Sequence, residues 1–127
     1  MTRSSAGPLL VVLAVVLIGG ACGPTAGAGG SSPSAPAGGA VLVAADTTFD
    51  RAELDVPAGV AFPLQFENRE ASPHNVTIVD EAGRALFVGD IVSGPASRTY
   101  RVGPLSAGSY RFRCDVHPSM SGTVIAG

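Results

Sequence analysis

Apolar and polar residues alternate along three stretches of the chain, which read RAELDVP (51–57), VAFPLQFEN (60–68) and SYRFRC (109–114). Successive side chains of a strand point to opposite faces of a sheet, so a period of two predicts half-buried strands. The positions predicted to face inward are Ala52, Leu54, Val56, Val60, Phe62, Leu64, Phe66, Tyr110 and Phe112. No stretch after Ala40 has a convincing helical period. We therefore expect an all-β sandwich of two sheets with about seven to eight strands.

Turn-forming residues separate the predicted strands. Turns are predicted at 57–59 (PAG), 81–83 (EAG), 93–95 (SGP) and 107–108 (AG), where glycine or proline favours a change of direction. Pro63 has no backbone N–H to donate, so we expect its strand to lie at a sheet edge or to bulge at that residue.

The N-terminal residues have the layout of an export signal. Arg3 is followed by a run of ten apolar residues (9–18) and then by small residues that end at Cys22. A membrane-spanning helix needs about 20 apolar residues, which argues against a permanent span. The stretch IGGAC resembles the lipobox of bacterial lipoproteins, although Gly19 stands where that motif usually has leucine. The resemblance implies a signal peptide over 1–22 and a lipid on Cys22. Cleavage nearby and an uncleaved anchor are the alternatives, and all three place the rest of the chain outside the cytoplasm.

A segment of glycine, serine, proline and alanine (23–39) follows and has no charged or large apolar residue. Such a composition cannot bury a core and predicts a flexible linker. The remaining segment, 40–127, is the predicted folded domain. It has seven arginines, since Arg3 lies outside it, against ten acidic residues, and its formal charge is about −3. This balance provides no basic patch and argues against a nucleic-acid partner.

The export signal changes the meaning of the two cysteines. Two cysteines in an exported chain would normally suggest a disulfide. If Cys22 carries a lipid, Cys114 has no partner and is a free thiol in an oxidising compartment. A bound metal would protect such a thiol.

Strand parity brings two uncommon side chains together. His74 has the parity of Val76 and Ile78, and Cys114 has the parity of Phe112, so both are predicted to point into the sandwich from strand ends. They can therefore meet at one rim of the core.

The stretch CDVHPSM places a thiol, an imidazole and a thioether three residues apart. With the distant histidine, it offers the ligand set of a blue-copper site, which is one thiolate, two imidazoles and a weak axial thioether. The candidate metal ligands are His74, Cys114, His117 and Met120. Zinc and calcium fit less well, because a thioether is a poor zinc ligand and no loop supplies a ring of oxygens. The same residues could instead be ordinary core residues, or a Cys–His dyad of a hydrolase. The dyad leaves His74 and Met120 without a role.

From about Val41 onward the chain resembles the small cupredoxins of the plastocyanin and amicyanin group. The resemblance lies in PHN (73–75), AGSYRFRC (107–114) and CDVHPSMSGTV (114–124). It implies a Greek-key sandwich that holds one copper ion, with His117 as the electron port. It also implies that Asn75 anchors the ligand loop, with its backbone N–H directed at the Cys114 sulfur.

These features predict a carrier of single electrons between redox proteins, tethered at the outer face of the cytoplasmic membrane. We expect a monomer that catalyses no substrate chemistry. An extracytoplasmic copper protein for storage, delivery or resistance is the alternative, although the chain has no runs rich in methionine or histidine. An adhesion sandwich of immunoglobulin type would normally have two core cysteines and a tryptophan. This domain has one cysteine and no tryptophan.

Overall fold

The computed structural model describes Gly7 and residues 37–127. The predicted signal peptide (1–22), the lipidation site at Cys22 and most of the predicted linker (23–39) lie outside the described residues. Within the described part, no helix is long and apolar enough to cross a membrane.

Residues 37–127 form nine strands and contain no helix. The strands are β1 (Ala40–Ala45), β2 (Thr48–Phe49), β3 (Glu53–Val56), β4 (Phe62–Asn68), β5 (Thr77–Val79), β6 (Ala85–Val88), β7 (Ala96–Val102), β8 (Gly108–Arg113) and β9 (Ser121–Ala126). The prediction of an all-β fold is confirmed, with one strand more than expected.

The strands form two mixed sheets. One has the order β2-β1-β4-β7 and the other has the order β3-β9-β8-β5-β6. The pairs β1–β4 and β3–β9 are parallel, and the remaining pairs are antiparallel. Sequence neighbours such as β3 and β4 lie in different sheets, as the crossing connections of a two-sheet sandwich require.

The predicted alternation is confirmed inside the strands and fails just outside them. Phe62, Leu64 and Phe66 of β4 are buried, as are Leu54, Val56 and Phe112. Val60 is 53% exposed, and Ala52 is exposed as well. Both residues precede the first residue of a strand, so the pleat that alternates side chains does not extend to them.

Pro63 does not mark a sheet edge, and β4 contains no bulge in its pairing with β7. The strand lies between β1 and β7, and Pro63 pairs with Arg101 of β7. The β1 ladder, however, begins one residue later, where Ala40 pairs with Leu64. No residue of β1 pairs with Pro63, so on that side of β4 no strand requires an amide donor from it.

Three of the four predicted turns lie entirely between strands, whereas the fourth (107–108) ends inside β8, whose first residue is Gly108. Gly59 and Gly83 have positive φ values of 72° and 81°, which glycine adopts without steric cost. Gly94 is needed for a different reason. A Cβ atom there would lie 2.5 Å from the Glu70 carbonyl oxygen and 2.6 Å from that of Asn68. The turn before β7 therefore packs directly on the segment that leads to His74.

Candidate metal centre

His74 is held by the backbone on the segment between β4 and β5. It forms an isolated antiparallel bridge with Val92, in which the His74 N–H donates to the Val92 carbonyl (3.1 Å) and the Val92 N–H donates back (2.8 Å). The His74 side chain is fully buried, and so are Val76 and Ile78. The inward parity predicted for His74 is therefore what the structure shows.

Cys114 follows the last residue of β8 and begins a closed loop. Its N–H donates to the Met120 carbonyl oxygen at 2.9 Å, and the Met120 N–H donates to the His117 carbonyl oxygen at 2.9 Å. These two hydrogen bonds fold the loop back on itself, so that Met120 returns to the strand end that carries Cys114. Cys114 and Met120 are both buried and belong to the same core cluster.

The two histidines and the cysteine present their donor atoms to one another. The His74 Nδ1 atom lies 3.1 Å from His117 Nδ1 and 3.7 Å from Cys114 Sγ. The three ligand atoms all lie within 4.8 Å of one another. Forty residues of sequence separate His74 from Cys114, so the sandwich itself creates this cluster.

These separations fit a metal ion. A metal bonded to nitrogen at about 2.0–2.1 Å and to sulfur at about 2.3 Å keeps such donors roughly 3 to 4 Å apart. The separations of 3.1 and 3.7 Å lie in that range. One thiolate with two imidazoles is the trigonal set that favours copper, and Met120 adds a soft thioether in the same loop.

Glu70 orients His74 and was not anticipated from the sequence. Its Oε1 atom lies 2.6 Å from His74 Nε2 and also accepts the Thr47 backbone N–H at 2.8 Å. The hydrogen bond from Thr47 is the largest cause that lowers the pKa of Glu70, and the bond to His74 lowers it further. A carboxylate on the far nitrogen fixes the tautomer and ring orientation of a ligating histidine. A carboxylate four residues before a candidate ligand histidine, as in EASPH, was the available signal.

Asn68 supports the segment that carries Glu70 and His74. Its side chain is fully buried, and its Nδ2 donates to the carbonyl oxygens of Ser72 (2.7 Å) and Val92 (2.8 Å). Its Oδ1 accepts the Glu70 N–H at 3.0 Å. Asn68 thus ties both backbone strands of the His74–Val92 bridge to the end of β4.

Asn75 anchors the ligand loop through its side chain. Its Oδ1 accepts the Asp115 backbone N–H at 2.8 Å, and its Nδ2 donates to the Asp115 carboxylate at 2.9 Å and to the Gly89 carbonyl at 3.2 Å. The anchoring role predicted for Asn75 thus has a structural basis, while a hydrogen bond from its N–H to the Cys114 sulfur stays a prediction.

Asp115 receives further donors. Its Oδ2 accepts the Thr77 hydroxyl at 2.5 Å, and its Oδ1 accepts the Arg113 Nε–H at 3.1 Å. The hydrogen bond from Thr77 is the largest cause that lowers the pKa of Asp115, followed by the one from Asn75. The carboxylate is therefore negatively charged at neutral pH.

His117 is the most accessible donor of the cluster. It is partly exposed, whereas His74 and Cys114 are fully buried. Its neighbours Val116 and Pro118 are exposed. The ring of His117 therefore joins the buried donors to the surface.

Comparison with known proteins places this geometry in a family. The family described as cupredoxin-like domain matches residues 10–126. The chain belongs to the cupredoxin-like family. The match includes all four candidate ligands, and cupredoxins are electron-transfer proteins. His74, Cys114, His117 and Met120 form the potential copper site of this cupredoxin.

Two amicyanins are among the relatives. The cupredoxin is 35% identical to amicyanin-alpha of Methylorubrum extorquens over 103 residues, which cover 79% of this chain and 82% of that protein. Its structure resembles the crystal structure of amicyanin from Paracoccus versutus with a TM-score of 0.57. The two sequences are 29% identical, and the match covers 72% of this chain and 84% of that chain. Auracyanin A from Chloroflexus aurantiacus, at 18% identity, shares the fold with a TM-score of 0.61 over 68% of this chain and 96% of that chain.

Proposed function

We propose that this protein is a mononuclear blue-copper protein that carries single electrons between redox partners at the outer face of the cytoplasmic membrane. The observation that carries the proposal is the convergence of His74 Nδ1, His117 Nδ1 and Cys114 Sγ within 4.8 Å. Met120 lies buried in the loop that closes on Cys114. The similarity to amicyanins supports the same function.

Copper would supply a one-electron change between Cu(I) and Cu(II). The protein contributes fixed donors that need not move during that change. The bridge to Val92 and the hydrogen bond to Glu70 hold His74, while two backbone hydrogen bonds close the loop from Cys114 to Met120. Donors held in one arrangement for both oxidation states keep the reorganisation during electron transfer small. Burial of Cys114 also excludes water from the thiolate.

Electrons would enter and leave through His117. This residue is the partly exposed member of the donor cluster, and Val116 beside it is 37% exposed. A redox partner that docks over this surface would approach the imidazole edge directly. The complete burial of His74 and Cys114 gives a substrate no access to them, which supports a carrier that catalyses no reaction of its own.

The location at the membrane rests on the N-terminal sequence. Arg3, the apolar run 9–18 and the lipobox-like end at Cys22 support export and a lipid anchor, and the segment 23–39 would space the domain from the membrane. Mass spectrometry of the mature N-terminus tests this part. A diacylglycerol on Cys22 is expected, and an unmodified N-terminus at another residue would contradict the anchor.

Loading the purified protein with Cu(II) tests the electron-carrier function. An intense blue colour, reversible one-electron reduction and slow loss of copper to a chelator are expected. Cys114→Ser removes the thiolate and is expected to abolish the colour. Met120→Leu is expected to retain the colour with a shifted reduction potential. A colourless wild-type protein would refute the blue-copper assignment.

The same experiment separates electron transfer from copper handling. A protein that stores or delivers copper must release it, so a blue protein that loses its metal readily to a chelator or a copper chaperone would favour that alternative. The buried donors and the closed loop favour retention of the metal.

A further inference from the structure

The carboxylate of Asp115 lies beside the metal centre and is fixed from three directions. Asp115 follows Cys114 directly, and it receives hydrogen bonds from Thr77, Asn75 and Arg113. Thr77 pairs with Arg113 across β5 and β8, so these donors stand around the end of β8 where the ligand loop begins. A carboxylate with this many donors has one defined position relative to the Cys114 backbone.

The donors that hold the carboxylate only partly offset its charge. The hydroxyl of Thr77 and the amide of Asn75 are neutral and buried, so they position the carboxylate without cancelling its negative charge. Arg113 is cationic, but its side chain is 44% exposed and that of Asp115 is 37% exposed. An ion pair this exposed is weakened by solvent. The guanidinium is the more exposed partner and lies on the preceding strand, so solvent screens its field at the ligand loop more than that of the carboxylate, which belongs to the loop itself.

A fixed negative charge near a one-electron centre favours its oxidised state. The oxidised centre has one more positive charge than the reduced centre, and Coulomb attraction stabilises the oxidised state more strongly. The attraction is stronger inside a protein than in water, because the effective dielectric constant is lower and salt screens partly buried charges less.

From this arrangement we infer that the fixed negative charge of Asp115 lowers the reduction potential of the metal centre. The positive charge of Arg113 raises that potential by a smaller amount. The inference rests on the proposed function, since it requires a copper ion at the four ligands. It assigns to Asp115 a role distinct from that of Asn75, which holds the loop through the Asp115 backbone N–H.

An equilibrium redox titration of the copper-loaded full chain tests the inference. The ratio of Cu(I) to Cu(II) is read from the blue absorbance at a potential fixed by a small-molecule mediator. Asp115→Asn retains the shape and the acceptor oxygen but removes the charge, and it is expected to raise the ratio at least about threefold. Arg113→Gln is expected to lower the ratio by a smaller factor, because the guanidinium is more exposed. Thr77→Val retains both charges, and its effect is expected to be smaller than that of Asp115→Asn.

A measurement on the metal-free protein separates charge from structure. Hydrogen exchange of the Asp115 amide reports the bond to Asn75, and it is expected to stay slow in Asp115→Asn and to become fast in Asn75→Ala. If Asp115→Asn does not fold, the opposite shift in Arg113→Gln still decides the question.

Three results would overturn the inference. These are an unchanged ratio in Asp115→Asn, shifts of the same sign in the asparagine and glutamine variants, or an equal shift in Thr77→Val. In each case a blue, reversibly reducible wild-type protein would leave the proposed function intact. A wild-type protein without blue colour would refute both.

Discussion

The Glu70 carboxylate and the His74 imidazole are joined by a contact of 2.6 Å between Oε1 and Nε2. Because the carboxylate accepts a hydrogen bond at Nε2, the proton of the neutral ring lies there and Nδ1 is left as a lone-pair donor. It is Nδ1 that faces Cys114 Sγ and His117 Nδ1. A single surface-side carboxylate thus selects the tautomer that the metal centre needs.

Removal of this carboxylate is expected to weaken metal binding. Partners on the far nitrogen of a ligating histidine are worth about 10- to 100-fold in metal affinity. We expect Glu70→Ala to lower copper affinity by about that factor, and Glu70→Gln to lower it less because the amide oxygen can still accept from His74. Competition with a chelator of known affinity measures both. Glu81→Gln, at an exposed glutamate in the turn after β5, is the control. Equal affinities of Glu70→Ala and this control would contradict the assigned role.

Asn68 is expected to be important for stability. Its fully buried side chain bonds three backbone groups, of which the Ser72 carbonyl and the Glu70 N–H are partly buried and the Val92 carbonyl is buried. A buried polar group left without a partner costs roughly 1–3 kcal/mol. Asn68→Ala should therefore lower the free energy of unfolding by at least about 2 kcal/mol, measured by urea denaturation. Asn68→Asp retains the acceptor for the Glu70 N–H but loses the donors to Ser72 and Val92. If Asn68→Asp lowered the free energy of unfolding much less than Asn68→Ala, the two hydrogen bonds that Asn68 donates would contribute little to stability.

The sequence predicted the parts of this molecule that depend on local pattern. Alternation is a property of the pleated strand, so it located β3, β4 and β8 and the inward direction of His74 and Cys114. It failed at Val60, where the strand had not yet begun. The prediction of a sheet edge or a bulge at Pro63 was wrong. A missing backbone donor matters only where a neighbouring strand needs it, and the sequence does not show where the β1 ladder begins.

The supporting residues of the site were harder to predict. Glu70, Asn68 and Thr77 act through contacts that the tertiary fold creates, such as the one that brings Thr77 to Asp115 across 38 residues. Nothing in the periodicity of the chain distinguishes a buried asparagine that holds three backbone groups from a surface asparagine. Asn75 was assigned because the resemblance to a known family supplied its role.

Gly122 of β9 is expected to be intolerant of a side chain. A Cβ atom there would clash with Cζ of Phe112 and would lie 2.6 Å from the Ala52 carbonyl oxygen. Phe112 is fully buried and lies two residues before Cys114. Gly122→Ala should therefore lower the free energy of unfolding by about 1–3 kcal/mol. Gly103→Ala is the matched control, since a Cβ atom there would contact nothing within 4 Å. Thermal or urea unfolding of the two variants makes the comparison. If Gly122→Ala were as stable as Gly103→Ala, β8 and β9 could move apart with little loss of stability.

Asp80 gives the turn between β5 and β6 a defined pH dependence. Its carboxylate accepts the Arg84 backbone N–H at 2.9 Å and the Arg84 Nε–H at 3.0 Å. The backbone hydrogen bond is the largest cause that lowers the pKa of Asp80. A carboxylate whose pKa is lower in the folded state stabilises the fold above its unfolded pKa of about 3.9, and this contribution is lost as the pH falls through the folded pKa.

The stability advantage of the wild-type protein over Asp80→Asn is therefore expected to be present at pH 7 and to shrink as the pH falls below about 5. Urea unfolding of both proteins between pH 7 and pH 3 measures the difference. Arg84→Gln retains the backbone N–H and removes only the charged guanidinium, so it should keep most of the wild-type pH dependence. Parallel stability curves for the wild-type protein and Asp80→Asn over this range would show that the turn is formed equally well with a neutral Asp80. In that case the bond to the Arg84 backbone would follow from the turn and would not stabilise it.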